Sequence, residues 1–226
     1  MSNFADELKQ LKDELLTMAS HAESAVSRSV RALGERDLDL ARSVQDDDTI
    51  LDQLEVKIDD IAIHLLAMAP VASDLRLITV AMKISQNLER VGDEACTMAR
   101  RAIDLAGQPQ LKADTAIPQM ARLALDMLHE SLSAFIERDP ARARRIIPRD
   151  QEVDAMNREL HRALSSFMIE DPGKITRCLA LMAISRSLER VADHAKNIAE
   201  HTVYLYEGRD IRHSHEDEQP PKNPGR

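Results

Sequence analysis

Eight carboxylates fall into four like-charged pairs: Asp48 and Asp52, Glu89 and Asp93, Asp150 and Asp154, Glu189 and Asp193. Residues four apart share one helix face, where like charges cost a helix about 0.2–0.5 kcal/mol per pair. Folding has no need of four such pairs. Oxygen donors grouped in this way suit a hard cation, magnesium, calcium, manganese or iron. Registry strengthens the reading. Asp52 and Asp48 lie 18 and 22 residues before Pro70, while Glu89 and Asp93 lie 19 and 23 after it. If Pro70 marks the turn of an antiparallel hairpin, Asp52 comes level with Glu89 and Asp48 with Asp93. About Pro172 the counts are 18 and 22 before, 17 and 21 after, so the ladder recurs. One metal site per repeat is expected, in an exposed groove between two helices. The plainer alternative is that the acidic pairs only solvate outer helix faces, with Arg90 and Arg190 neutralising part of the charge.

Other chemistry-bearing residues carry less. His194, next to Asp193, reads as a surface histidine because its counterpart in the first half is Glu94. Cys96 and Cys178 read as buried small hydrophobes, and with no cysteine beside the carboxylates a structural zinc site is disfavoured. Asp74 is expected to cap the helix that starts after Pro70. Gly92 and Ala192 hold a small residue at equivalent places, as close helix approach requires.

The elements that must position these residues are helices. Prolines stand only at 70, 109, 118, 140, 148, 172, 220, 221 and 224, and the segments between them carry apolar residues at spacings of three and four. Leu51, Leu54, Ile58, Ile61, Leu65 and Met68 form one stripe, and Ala81, Ile84, Leu88, Val91, Ala95 and Met98 another. Six long helices are predicted, near 4 to 34, 38 to 69, 73 to 106, 117 to 137, 140 to 170 and 174 to 207. Glu35-Arg36-Asp37 recurs as Glu137-Arg138-Asp139 at an offset of 102, and Leu88-Glu89-Arg90-Val91-Gly92-Asp93 recurs as Leu188-Glu189-Arg190-Val191-Ala192-Asp193 at an offset of 100. The fold class is therefore all-α, a tandem duplication of a three-helix bundle. The first repeat spans 1–107, the second 117–207, and 208–226 reads as a disordered tail.

Composition narrows the function classes. The chain has 226 residues, 2% of them aromatic, and a formal net charge of -9. Such an acid excess repels a phosphate backbone, so nucleic acid is disfavoured as a partner. With glycine only at 34, 92, 107, 173, 208 and 225, no glycine-rich nucleotide loop can be written. The uncharged run Ile61 to Ser73 has thirteen residues, short of the roughly 20 a membrane span needs, and no signal peptide is visible. A cytoplasmic protein is expected. A di-iron carboxylate enzyme would need Glu-x-x-His motifs, which are absent. The residues alone support a non-catalytic helical module, with a metal-independent scaffold as the alternative.

These residues resemble the PhoU family of phosphate-transport accessory regulators. The likeness rests on Ala72-Ser73-Asp74-Leu75-Arg76, on Leu88 to Asp93, and on Leu188-Glu189-Arg190-Val191-Ala192-Asp193-His194-Ala195, with the acidic pairs Asp48/Asp52 and Asp150/Asp154 upstream. The second repeat has Lys174-Ile175-Thr176-Arg177 in place of the Asp-Leu-Arg feature. The resemblance implies a homodimer that binds metal ions, iron, manganese or magnesium, through its acidic pairs. It further implies a cytoplasmic negative regulator of the phosphate response, joining the ATPase subunit of a phosphate ABC transporter to a sensor histidine kinase.

Overall fold

The computed structural model describes residues 4–68, 71–111 and 116–211. Among them there are no strands. The helices are α1 (Phe4–Glu35), α2 (Leu38–Asp46), α3 (Asp48–Met68), α4 (Ala72–Ala106), α5 (Ala116–Glu137), α6 (Pro140–Ile146), α7 (Asp150–Glu170) and α8 (Ile175–Glu207). They make six rods, as the periodicity predicts, but two rods carry a break. The recurring Glu-Arg-Asp segments are the corners between rods. Arg36 and Arg138 adopt left-handed backbone, φ 57° and 59°, and the next N–H turns back to Ala32 and Ala134 carbonyls. Asp37 and Asp139 then accept the N–H groups of Leu40 and Arg142, starting α2 and α6.

Neither 38–69 nor 140–170 is one helix. The first breaks at Asp47, in a run of three aspartates whose side chains compete with helical backbone bonds. Arg28 of α1 pins Asp47 there at 2.7 Å. The second breaks at Pro148, which lacks an N–H and opens a short 3-10 turn, Ile147–Arg149. As a result Asp48 and Asp150 each sit in the first turn of a new helix, where the helix dipole favours negative charge. Asp74 does not cap α4. The N-cap is Val71, and Asp74 lies in the first turn. Pro70 and residues 212–226 of the expected tail lie outside the described residues. Gly208 closes α8 in left-handed backbone, φ 69°, and Ile211 packs on the core.

α1 and α3 pack on α4, and α5 and α7 pack on α8. α4 and α8 then pack on each other and run antiparallel. Arg76, near the start of α4, stands 5.6 Å from the Tyr204 ring near the end of α8, while Glu94 meets Arg190 at mid-helix. The facing pairs centre on the repeat-equivalent Val91 and Val191, both fully buried. A single apolar cluster runs through both repeats. Its stripes are those of the sequence, except that in α3 Ala62 is buried, Ile61 only partly so and Met68 exposed.

At Gly92 α4 is approached closely by α3. A Cβ there would lie well inside contact distance of Leu51 Cδ1. The second repeat has Ala192 and Val153 at the equivalent positions, one methylene more in α8 and one fewer in α7. Leu51→Val with Gly92→Ala should recreate that arrangement. In a double-mutant cycle read by urea unfolding, the pair is expected to be about 1–3 kcal/mol more stable than the two single changes sum to. Additive behaviour would show that the contact is loose.

Candidate functional site

The first carboxylate cluster forms where the start of α3 faces the middle of α4. Asp48 and Glu89 are half-buried, Asp52 and Asp93 exposed. Burial raises the Asp93 carboxyl above its usual range, and among neighbouring charges Asp48 raises it most. Burial also raises Glu89, followed by Asp93, with Glu55 and Asp52 contributing. The charges acting on Glu89 and Asp93 thus include Asp48, Asp52 and Glu55, in keeping with the expected register. Glu55 is a fifth member that repeat comparison hides, since Asn157 stands at its place in the second repeat. Arg90 supplies a cation at 3.3 Å from Glu89 and 3.8 Å from Asp93. Contrary to expectation, a cysteine is close. Cys96 donates to the Val44 carbonyl, and burial together with Asp48 pushes its thiol up to about 12, so it is a neutral group.

The second cluster has the same carboxylates in a different setting. Asp150 is buried, 5% exposed, which overturns the expectation of an outward-facing position. Lys196 donates to its Oδ2 at 2.9 Å, and its Oδ1 is buried without a hydrogen-bond partner. Asp193 is raised to about 6 by burial first, then by Asp150 and Glu189, with Lys196 opposing. Glu189 and Asp154 are half-buried, and Arg158 stands 3.8 Å from Asp154. Arg190, which Glu189 and Asp193 also influence, makes its closest ion pair outside its own cluster. It crosses to Glu94 of the first repeat at 2.8 Å. The symmetry-related contact would join Arg90 to position 194, but that residue is a histidine, and Arg90 stays with Glu89 and Asp93. His194 is not a surface residue either. It is half-buried, its Nδ1 is 2.9 Å from Asn87 Oδ1, and burial lowers its pKa.

Both clusters open onto one groove of about 810 Å³ along the α4–α8 seam, with Asp48 and Asp93 on one wall and Asp193 on the other. Arg90, Arg100 and Arg190 also line it. Among the described residues, no three His, Cys, Asp or Glu side chains converge closely enough to hold a metal ion.

Comparison with known proteins places this architecture. The family model described as PhoU domain matches residues 15–102 and 117–202. A phosphate-specific transport system accessory protein PhoU homolog of Rhizobium meliloti (strain 1021) is 43% identical over 211 residues, covering 92% of this chain and 89% of the relative. The phosphate-specific transport system accessory protein PhoU of Escherichia coli (strain K12) is 34% identical over 216 residues, covering 95% and 90%. The crystal structure of PhoU from Pseudomonas aeruginosa superposes with a TM-score of 0.89 at 37% identity, covering 92% of this chain and 100% of that one.

The Asp193 environment has a consequence for stability. Its carboxyl titrates near 6 in the folded chain against an ordinary 3.8, so the folded state holds the proton more tightly than the unfolded. The stability from this group is complete below pH 4, falls as pH rises through 6, and stays low above it. Asp193→Asn should therefore stabilise the chelator-treated protein at pH 7 by about 1–2 kcal/mol, allowing for solvent screening, and leave it unchanged at pH 4. Urea unfolding at the two pH values tests this; an equal effect at both would refute it.

Proposed function

The chain belongs to the PhoU family, whose members are accessory proteins and not enzymes, and from that premise we propose that it is a negative regulator of phosphate uptake and of the phosphate-starvation response. In this reading it acts in the cytoplasm as a homodimer, contacting the ATPase subunit of a phosphate ABC transporter and holding a sensor histidine kinase quiet while phosphate is plentiful. The observation that carries it is the likeness to a phosphate-specific transport system accessory protein across 92% of the chain. No helix among the described residues is long and apolar enough to cross a membrane.

The same reading has metal ions bound at the two carboxylate clusters. The donor set fits a hard cation, being all oxygen apart from a neutral thiol. Burial first, and then the neighbouring carboxylates, raise the Glu89 and Asp93 carboxyls, and a cation would relieve the second of these causes; the orphaned Asp150 Oδ1 is a ready acceptor. Asp48, Asp52, Glu89 and Asp93 would hold one ion, and Asp150, Asp154, Glu189 and Asp193 the other, after side-chain movements that draw the oxygens together.

Two measurements test these statements separately. Deletion of the gene should raise a phosphate-starvation reporter severalfold in phosphate-rich medium, and an unchanged reporter would remove the regulatory assignment. Chelator-stripped protein should bind manganese in calorimetric titration, with binding abolished by Glu89→Gln, Asp93→Asn, Glu189→Gln and Asp193→Asn together. Retention of binding in that variant would place the ions elsewhere.

A further inference from the structure

Two surfaces away from the carboxylate clusters have no counterpart in the other repeat. The first is one end of the α4–α8 seam, where a groove of about 590 Å³ runs between the last turns of α4 and the first turns of α8. Leu105, Ala180 and Ala183 give it an apolar floor, and Leu179 is 55% exposed at its edge. Its rim is basic. Arg101 and Arg177 line it, Arg186 lies seven residues beyond Leu179 on the same helix face, and Arg100 stands where it meets the central groove. Arg100 and Arg186 are exposed and make no ion pair among the described residues, and Arg101 is answered only by Asp104 at 3.0 Å. The opposite end of the seam is closed. Arg76 and Tyr204 stand there in place of Thr176 and Asp104, with the guanidinium over the ring, and Leu179 and Arg186 become Thr79 and Gln86. The second surface is the outer face of α3. Val56 and Ile63, two turns apart, are 62% and 61% exposed, and Asp59 and Asp60 between them make no ion pair among the described residues. At the places of Val56, Asp60 and Ile63, α7 has Arg158, Arg162 and Ser165. The fold common to both repeats therefore needs neither surface.

We propose that the groove receives α3 of a second copy of this chain, with Val56 and Ile63 on its apolar floor and Asp59 and Asp60 against its arginines. This rests on the homodimer of the reading above and gives that dimer its surface. The fit is one of opposite charge around an apolar centre: an acidic helix with two exposed aliphatic anchors meets a trough that is apolar below and basic at the rim. A trough between two helices suits a third helix and not the flat surface of a bilayer. The two surfaces also lie toward opposite ends of the molecule, since α3 flanks the first half of α4 and the groove lies at its last turns. A second copy turned end for end about a two-fold axis therefore brings each α3 to the other's groove, and both contacts form together.

Sedimentation equilibrium of the full chain over a range of protein and salt concentrations tests the assignment. The wild type should be a dimer whose dissociation constant rises with added salt. Val56→Lys/Ile63→Lys should raise that constant at least tenfold, and so should Leu179→Asp. All three side chains are exposed, so the circular dichroism of these variants should match the wild type. Asp59→Arg/Asp60→Arg and Arg100→Glu/Arg186→Glu should each dissociate the dimer, and the chain carrying all four charge reversals should associate again, as direct contact between the two surfaces requires. Failure of that combination to recover would overturn the assignment. A dimer insensitive to both apolar variants would do so too, and would leave the homodimer standing on some other surface. A wild type that is monomeric throughout removes the homodimer together with this surface, while the regulatory assignment still answers to the reporter strain. If that monomer binds phosphatidylglycerol vesicles and Leu179→Asp abolishes the binding, the groove serves a membrane and the proposal is wrong.

Discussion

The apolar seam along α4 and α8 is the constraint on which the other features depend. Leu88, Val91, Leu188 and Val191 are fully buried directly beneath Glu89, Asp93, Glu189 and Asp193. Burying one such side chain contributes about 1.5–3 kcal/mol, whereas a like-charged pair four apart costs about 0.2–0.5 kcal/mol. The packing therefore wins, and the carboxylates are held together against their repulsion. Gly92 and Ala192 bring α3 and α7 close enough for Asp48 and Asp150 to join them. Without that approach the acidic pairs would be separate surface charges.

Duplication supplied two copies of this arrangement, and the antiparallel pairing of α4 with α8 brought them to a common groove. Once there, equivalent positions no longer had equivalent surroundings. Arg190 found Glu94, while Arg90, opposite His194, remained with its own carboxylates. Lys196 entered the second cluster, while the first has the neutral Cys96 at the equivalent place. A nearly symmetric backbone thus carries an asymmetric charge pattern.

The proteins this chain resembles are named for a role in phosphate transport. A rigid bundle with an apolar core and charge concentrated along one seam suits such a role. Charge held by packing can change its occupancy with ions or partners while the helices beneath stay in place.

The all-helical class, the duplication, the stripes and the eight carboxylates are legible in the sequence because each depends on local spacing: a period of 3.6 residues, a recurring Glu-Arg-Asp corner, pairs four apart. Even the hairpin register follows from counting about Pro70 and Pro172. The break at Asp47 is not legible, since it needs Arg28 from α1 to pin it. Nor are the burial of Asp150, its pairing with Lys196, the closeness of Cys96 to Asp48, or the crossing of Arg190 to Glu94. Each of these depends on how deeply one helix sits against another and where two long helices cross. That is decided by the packing of whole faces, and no spacing along a single helix records it.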